Sequence, residues 1–382
     1  MFVDKNQCSG CGLCAEYCPV HALSMKTDKY GFMYPVLEEN KCINCNLCER
    51  VCAFNKQQYS NIPQNIYISQ HVSENVCVKS TSGGMFTAIS DAIFDMSGVI
   101  YAPMFDDNMS LKHMRIIDAK HRDLARGSKY VQSDISSIYH SLVDDLEKGN
   151  KVALFGTPCQ IAGIRKKFHS KYEDRLCLID VVCNGVSSPK VWEQHIKRIE
   201  ETKKKKVINY NFRPKTNGYL TQTEIAYFSD GSVCEYTYAM SKYNSLYYSG
   251  LLMRPSCTNC TFCDIKRLSD ITIADFSKET KLILPFEKKN GASTLLINTN
   301  KGRQLFDSFK QNITYVETDI FEIDQKRLHK CSEAIDGSEE FIYKCIQQGI
   351  NSAIKTKYSK FRRLKSYIAA LFYRIRNKCL IK

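Results

Sequence analysis

From about residue 64 onward the apolar positions switch between unbroken runs and helical spacing, which predicts buried strands alternating with amphipathic helices. Val152-Ala153-Leu154-Phe155 has the length and composition of a buried strand. It turns at Gly156-Thr157-Pro158 into a basic helix that begins with Cys159-Gln160-Ile161. Leu176 to Val182 predicts a second strand, followed by Cys183-Asn184-Gly185-Val186 and a helix with Ser188 as N-cap and Pro189 at its first position. Upstream, Ser80-Thr81-Ser82-Gly83-Gly84 opens a segment whose Phe86, Ile89, Ile93 and Met96 recur at helical spacing. Strand–loop–helix passages in this order argue for an α/β domain. Ligand sites in such sheets lie beyond the carboxyl ends of the strands. Cys159 and Cys183 both fall there.

The far C-terminus has a different pattern. Phe361, Leu364, Ile368, Leu371, Phe372 and Ile375 line one helix face, with Arg362, Arg363, Lys365, Arg376 and Lys378 around the other sides. That composition suits a helix lying on an anionic membrane surface or a partner, or one packing its stripe on its own domain.

Composition narrows the class. A chain of 382 residues with 43% hydrophobic content has room for two or three domains. No apolar run approaches the roughly 20 residues needed to cross a bilayer. The N-terminus, Met1-Phe2-Val3-Asp4-Lys5, has no charged-then-apolar leader, so a reducing cytoplasmic location is expected, with membrane association only through the basic tail. The formal charge of +14 is concentrated: residues 355–382 hold ten Lys or Arg and no acid. Lys203 to Lys206 form another short run, read as a solvated face, and no motif supports nucleic-acid binding.

Cysteine spacing carries the chemistry. Cys8, Cys11, Cys14 and Cys18 form C-x-x-C-x-x-C-x-x-x-C-P, and Cys42, Cys45, Cys48 and Cys52 repeat it with Ala53 in place of the proline. Three thiolates at this interval wrap one face of a cubane, and in two-cluster ferredoxins the fourth ligand comes from the other run. The spacing therefore assigns Cys8, Cys11, Cys14 and Cys52 to one 4Fe–4S cluster and Cys42, Cys45, Cys48 and Cys18 to another. Zinc sites pair two C-x-x-C units instead, and disulfides suit exported chains. A third run, Cys257, Cys260 and Cys263, lacks its fourth cysteine. A third cluster would need a distant ligand, with Cys183 the first choice and Cys159 the second; zinc is the alternative. Ser82-Gly83-Gly84 before a helix can present backbone N–H groups to an anion.

Taken in order, Ser80-Thr81-Ser82-Gly83-Gly84, Lys129-Tyr130-Val131-Gln132-Ser133, Gly156-Thr157-Pro158-Cys159-Gln160, Cys183 to Pro189 and the Cys257–Cys263 run resemble the coenzyme F420 hydrogenase/dehydrogenase beta subunit family, in a subgroup with an N-terminal ferredoxin domain. The resemblance spans about residues 75 to 310 and includes Gly291 to Thr299. It implies a flavoprotein that binds FAD and a 4Fe–4S cluster and reduces a deazaflavin or another organic substrate with ferredoxin electrons. Relatives among surface-polysaccharide genes extend that to polysaccharide biosynthesis. The chain departs from the family pattern at Asn184, where a histidine is common, and at Phe276, where a tryptophan is common.

The resulting expectation is an α+β ferredoxin-like N-terminal domain over 1–58, a linker over 59–76, an α/β flavin-binding oxidoreductase domain over 77–330 and a basic helical extension over 331–382. Electrons would pass from a ferredoxin or other one-electron donor through the clusters to FAD and a small-molecule acceptor. Ser82, Gly83 and Gly84 are the candidates for the FAD phosphates, and Tyr130, Gln132, Thr157 and Gln160 for the surroundings of the flavin or substrate. No proton donor is identified. A non-catalytic electron-transfer subunit of a larger hydrogenase- or dehydrogenase-type complex is the alternative.

Overall fold

The computed structural model describes residues 4–55, 60–215, 223–236, 242–276, 280–323 and 325–357. The chain opens with a small unit: helix α1 (Leu13–Glu16), an antiparallel hairpin of β1 (Leu23–Thr27) and β2 (Met33–Leu37), and helix α2 (Leu47–Val51). Asp28 shapes the hairpin turn by accepting the N–H groups of Tyr30 and Phe32 at 2.9 and 3.0 Å. Phe32 and Tyr34 leave the hairpin on its buried side.

The body follows as β3 (Asn65–His71), α3 (Glu74–Lys79), α4 (Met85–Asp95), β4 (Val99–Phe105), β5 (Leu111–Ile116), α5 (Ala119–Ala125), α6 (Tyr139–Glu147), β6 (Val152–Gly156), α7 (Pro158–Tyr172), β7 (Leu176–Val181) and α8 (Pro189–Lys203). Next come a small antiparallel sheet of β8 (Val207–Asn211), β9 (Glu224–Phe228) and β10 (Val233–Tyr236), then α9 (Lys242–Tyr248). β11 (Ile271–Asp275), β12 (Ser293–Ile297), α10 (Asn300–Phe309), β13 (Ile313–Thr318) and α11 (Ser338–Lys357) complete the described chain.

Eight strands form one mixed sheet in the order β13-β3-β12-β11-β7-β6-β4-β5. β4, β6, β7 and β11 run parallel, and every other pairing is antiparallel. Strand alternation separates two cores. Ala153, Phe155 and Ile179 face α4 and α10, whereas Val152, Leu154, Leu176 and Leu178 join the cluster that contains α6 and α7. A third core gathers Trp192 of α8, Tyr210, Phe212, Tyr243 and the buried face of α11. Each fully buried large apolar side chain contributes roughly 1.5–3 kcal/mol, so the three cores together define a mixed α/β architecture.

The expected strands over 152–155 and 176–182 and the helix capped by Ser188 are present: the Ser188 hydroxyl accepts the Val191 N–H, and Pro189 starts α8. Two differences are structural. Asn65 to His71, within the expected linker, form a strand paired on both sides, because β12 and β13 arrive from more than 200 residues away to cover it. Part of the expected extension is not separate either: Phe341, Ile342, Cys345 and Ile350 of α11 pack into the α8 core. Residues 358–382, with the basic amphipathic stripe, lie outside the described residues.

Candidate functional site

The two N-terminal cysteine loops share a backbone as well as a spacing. Gly10 and Gly12 in the first run have φ of +70° and +82°, and Asn44 and Asn46 at the matching positions of the second have +53° and +58°. Glycine and asparagine are the residues that adopt this left-handed region at low cost. Gly12 and Asn46 then cap α1 and α2. Cys11 and Cys14 lie within electrostatic reach of Cys8 of their own run and of Cys52 of the second. Cys45 and Cys48 are neighbours in the second loop, and α1 packs on α2. Sulfur atoms in these loops accept backbone N–H bonds: Gly10 N–H to Cys8 Sγ at 3.4 Å and Ala22 N–H to Cys18 Sγ at 3.2 Å. Such donors favour the thiolate.

The body brings three further motifs together through Ser187. Ser187 bridges Val131 on one side and Met253 on the other. Gln132 N–H donates to Ser187 O at 3.1 Å and Arg254 N–H to Val186 O at 2.9 Å. This short three-stranded contact places the Lys129–Ser133 and Cys183–Pro189 segments beside the third cysteine run. β6 and β7 are adjacent and parallel, so Cys159 and Cys183, just past their carboxyl ends, enter the same place. Cys159, Cys183, Cys257, Cys260 and Cys263 line one cavity together with Arg254. Cys183 lies within electrostatic reach of Cys257, Cys159 and Cys260, so neither candidate for fourth ligand stands apart. Gly185 N–H donates to Cys183 Sγ at 3.3 Å, and Thr157 Oγ1 lies 3.3 Å from Cys159 Sγ. Burial pushes the Cys159 thiol up to about 11 and those of Cys11 and Cys257 to about 12. Thiols in this state hold their protons until a metal takes their place. Among the described residues no three His, Cys, Asp or Glu side chains close around a single metal ion. An array of soft sulfur donors spread around a cavity, with N–H groups on the sulfurs, fits an iron–sulfur cluster.

The other expected site residues have structural partners. Gly83 N–H donates to Ser293 Oγ at 2.8 Å, Ser82 Oγ donates to Ala292 O, and Gly84, with φ +90°, caps α4. A Cβ on Gly83 would stand 2.5 Å from Ser69 O, so the loop lies flush against β3 and β12. Thr157 and Gln160 form the capping box of α7, and Gln160 Nε2 reaches Ser133 Oγ at 3.1 Å. Both also line the thiol cavity, as does Gln132. Tyr130 instead stacks on Tyr247 in the third core, with ring centroids 4.4 Å apart.

Two buried arginines carry the site without any mark in the sequence. Arg267 pairs with Asp180 at 2.6 Å and donates to Phe262 O at 3.2 Å and Asp264 O at 3.1 Å, tying the third cysteine run to β7. Arg254 donates to Cys8 O at 2.8 Å and to Met33 O at 2.9 Å. The N-terminal unit is held by further donors from the body: Gln132 to Ser9 O at 2.9 Å, Tyr139 to Cys11 O at 2.5 Å, and Lys166 to Cys52 O at 2.5 Å and to Asn55 O. An open groove of about 760 Å³ shares Arg327 and Ser332 with the thiol cavity and is walled by Lys326, His329 and Phe321.

Residues 149–322 match the family described as the C terminus of the coenzyme F420 hydrogenase/dehydrogenase beta subunit, and residues 7–56 match the 4Fe-4S dicluster domain. No curated protein matches the chain. Among solved structures, a chain of the xenon-derivatized F420-reducing NiFe hydrogenase complex from Methanosarcina barkeri is similar at 15% identity and a TM-score of 0.47, over 79% of this chain and 94% of that one.

Proposed function

We propose, from the match of residues 149–322 to the coenzyme F420 hydrogenase/dehydrogenase beta subunit family and of residues 7–56 to the 4Fe-4S dicluster domain, that the chain is an iron–sulfur electron-transfer subunit working within a larger redox complex. The observation that carries this reading is that Arg254 and Gln132, which line the thiol cavity, also hold Cys8 O and Ser9 O of the first cysteine loop at 2.8 and 2.9 Å. Bound 4Fe–4S clusters would supply one-electron redox chemistry. Cys8, Cys11, Cys14 and Cys52 would hold one, and Cys18, Cys42, Cys45 and Cys48 a second. Cys257, Cys260 and Cys263 would hold a third, with Cys183 as fourth ligand and Cys159 beside it. The loop from Cys42 to Cys48 is the partly exposed end of this series, and Ile43 within it is 61% exposed. A ferredoxin-type donor would meet the chain there.

A second reading, in which FAD pairs the electrons for an organic acceptor, is favoured by the groove that continues from the thiol cavity. In this conformation Gly83 N–H and Ser82 Oγ are engaged inside the protein, so the phosphates would have to rely on the first turn of α4.

The test is anaerobic reconstitution of the full chain. About twelve irons with matching sulfide, and reduction of all clusters by a one-electron donor, are the expected results. Bound zinc without sulfide would sink the proposal. Flavin retained through gel filtration, with turnover of an organic acceptor by the isolated chain, would turn it toward the second reading.

A further inference from the structure

Arg254 is 1% exposed, and its guanidinium makes hydrogen bonds to three separate parts of the chain. Nε donates to Cys8 O at 2.8 Å, Nη1 to Gln132 Oε1 at 2.9 Å and Nη2 to Met33 O at 2.9 Å. Its plane lies over Tyr34 and Phe32, 4.3 and 5.3 Å from the ring centroids. A Cβ on Gly10 would stand 3.0 Å from both terminal nitrogens, so the first cysteine loop is shaped to admit the group. On its other side the residue lines the thiol cavity, and its carbonyl accepts the Cys257 N–H at 2.9 Å.

Each of the three hydrogen-bond partners is neutral, although a guanidinium stays protonated in proteins. Burying such a charge among neutral acceptors is unfavourable unless an anion lies close. Two places next to Arg254 can hold one: the loop of Cys8 and the thiol cavity. A cubane bound by four thiolates carries about two negative charges.

We infer that Arg254 is a positioning residue set between two iron–sulfur centres, which holds the Cys8 loop against the thiol cavity and whose charge makes both centres easier to reduce. The inference rests on the cluster reading given above. It also orders the route: electrons enter at the Cys42–Cys48 loop, pass to the Cys8 centre, and cross beside Arg254 to the cavity. In that crossing one electron leaves the Cys8 centre and one arrives at the cavity centre, with no proton moved. A cation at this place lowers the energy of the added charge on either side, and the low dielectric of the buried site magnifies the effect.

Two variants of the full chain test it, Arg254→Met and Arg254→Lys, each reconstituted anaerobically beside the unmodified protein. Iron and sulfide are counted first, and redox titration followed by electron paramagnetic resonance then reads the midpoint potentials and the magnetic coupling between centres. Arg254→Met is expected to shift two of the three potentials to more negative values and leave the third in place. Arg254→Lys, which keeps the charge but loses the fork, is expected to keep the potentials near the unmodified values and to weaken the coupling. Unchanged potentials in an Arg254→Met protein with full iron would overturn the inference. Iron loss in both variants would also overturn it, leaving only a structural tie. Absence of clusters from the unmodified protein would instead bring down the underlying reading.

Discussion

Asp180 and Arg267 are 1% and 2% exposed at their side chains, and each is the buried counter-charge of the other. Burial raises the Asp180 carboxyl and the arginine opposes that rise. Removing one partner strands the other, which typically costs about 3–5 kcal/mol. Asp180→Asn is therefore expected to lower stability by that order in a denaturant titration. Because Arg267 also holds Phe262 O and Asp264 O, total iron should fall by about a third, the share held by the third run, while the N-terminal irons stay. Gly83 gives a second residue-scale test. Its Cβ would meet Ser69 O at 2.5 Å and Ser293 N at 2.8 Å, both backbone atoms that cannot turn aside. Gly83→Ala should cost roughly 1–3 kcal/mol through overpacking. A thermal melt of flavin-free protein isolates this cost from any cofactor effect. At this scale the 4Fe–4S character of the N-terminal unit was legible, since ligand chemistry is written in spacing. Arg254 and Arg267 were not, because a buried arginine and a solvated one look alike in a sequence.

Among elements, α7 serves both units. Gly163 on this helix faces the first cysteine loop, and a Cβ there would stand 2.7 Å from Leu13 Cδ1 and 3.7 Å from Cys11 Sγ. Gly163→Ala gains helix propensity of about 1 kcal/mol, which offsets a contact that the Leu13 side chain can relieve by moving. Gly163→Leu has no such compensation and is expected to lift the N-terminal unit, seen as faster protease release of that unit with the far-ultraviolet spectrum unchanged. The strands Val152–Gly156 and Leu176–Val181 were readable because burial on both faces leaves an apolar run, interrupted in the second only by Asp180. The capping of α8 was readable for a different reason, that Ser188-Pro189 fixes both a side-chain acceptor and a backbone angle. Sheet order was not readable. β3 pairs with β12 and β13, from far along the chain, and local pattern holds no record of which distant strand arrives.

For the whole molecule, Glu224 sets a pH response. It lies fully buried at the start of β9, and burial pushes its carboxyl up to about 8 against the pull of Tyr210 and Arg198. The folded state therefore keeps a proton that the unfolded state releases above its ordinary value of 4.5. Stability is full below that value and declines as pH rises through about 8. Glu224→Gln should flatten the decline and raise stability at pH 8 by a few kcal/mol, measured as denaturant midpoints across the range. Removal of iron by an anaerobic chelator is expected to lower the melting temperature as well, since the buried thiols must then take protons back. The docking of the N-terminal unit has a broader consequence. Side-chain donors from the body, Gln132, Tyr139, Lys166 and Arg254, meet carbonyl oxygens of Ser9, Cys11, Cys52, Asn55, Cys8 and Met33. A grip on carbonyls follows the path of the unit's main chain, while Leu13, Phe32 and Tyr34 add side-chain packing to it. The body is thus a socket cut to one main-chain path, so a change in the length of either cysteine loop would misalign the carbonyls with their donors even where every cysteine is kept.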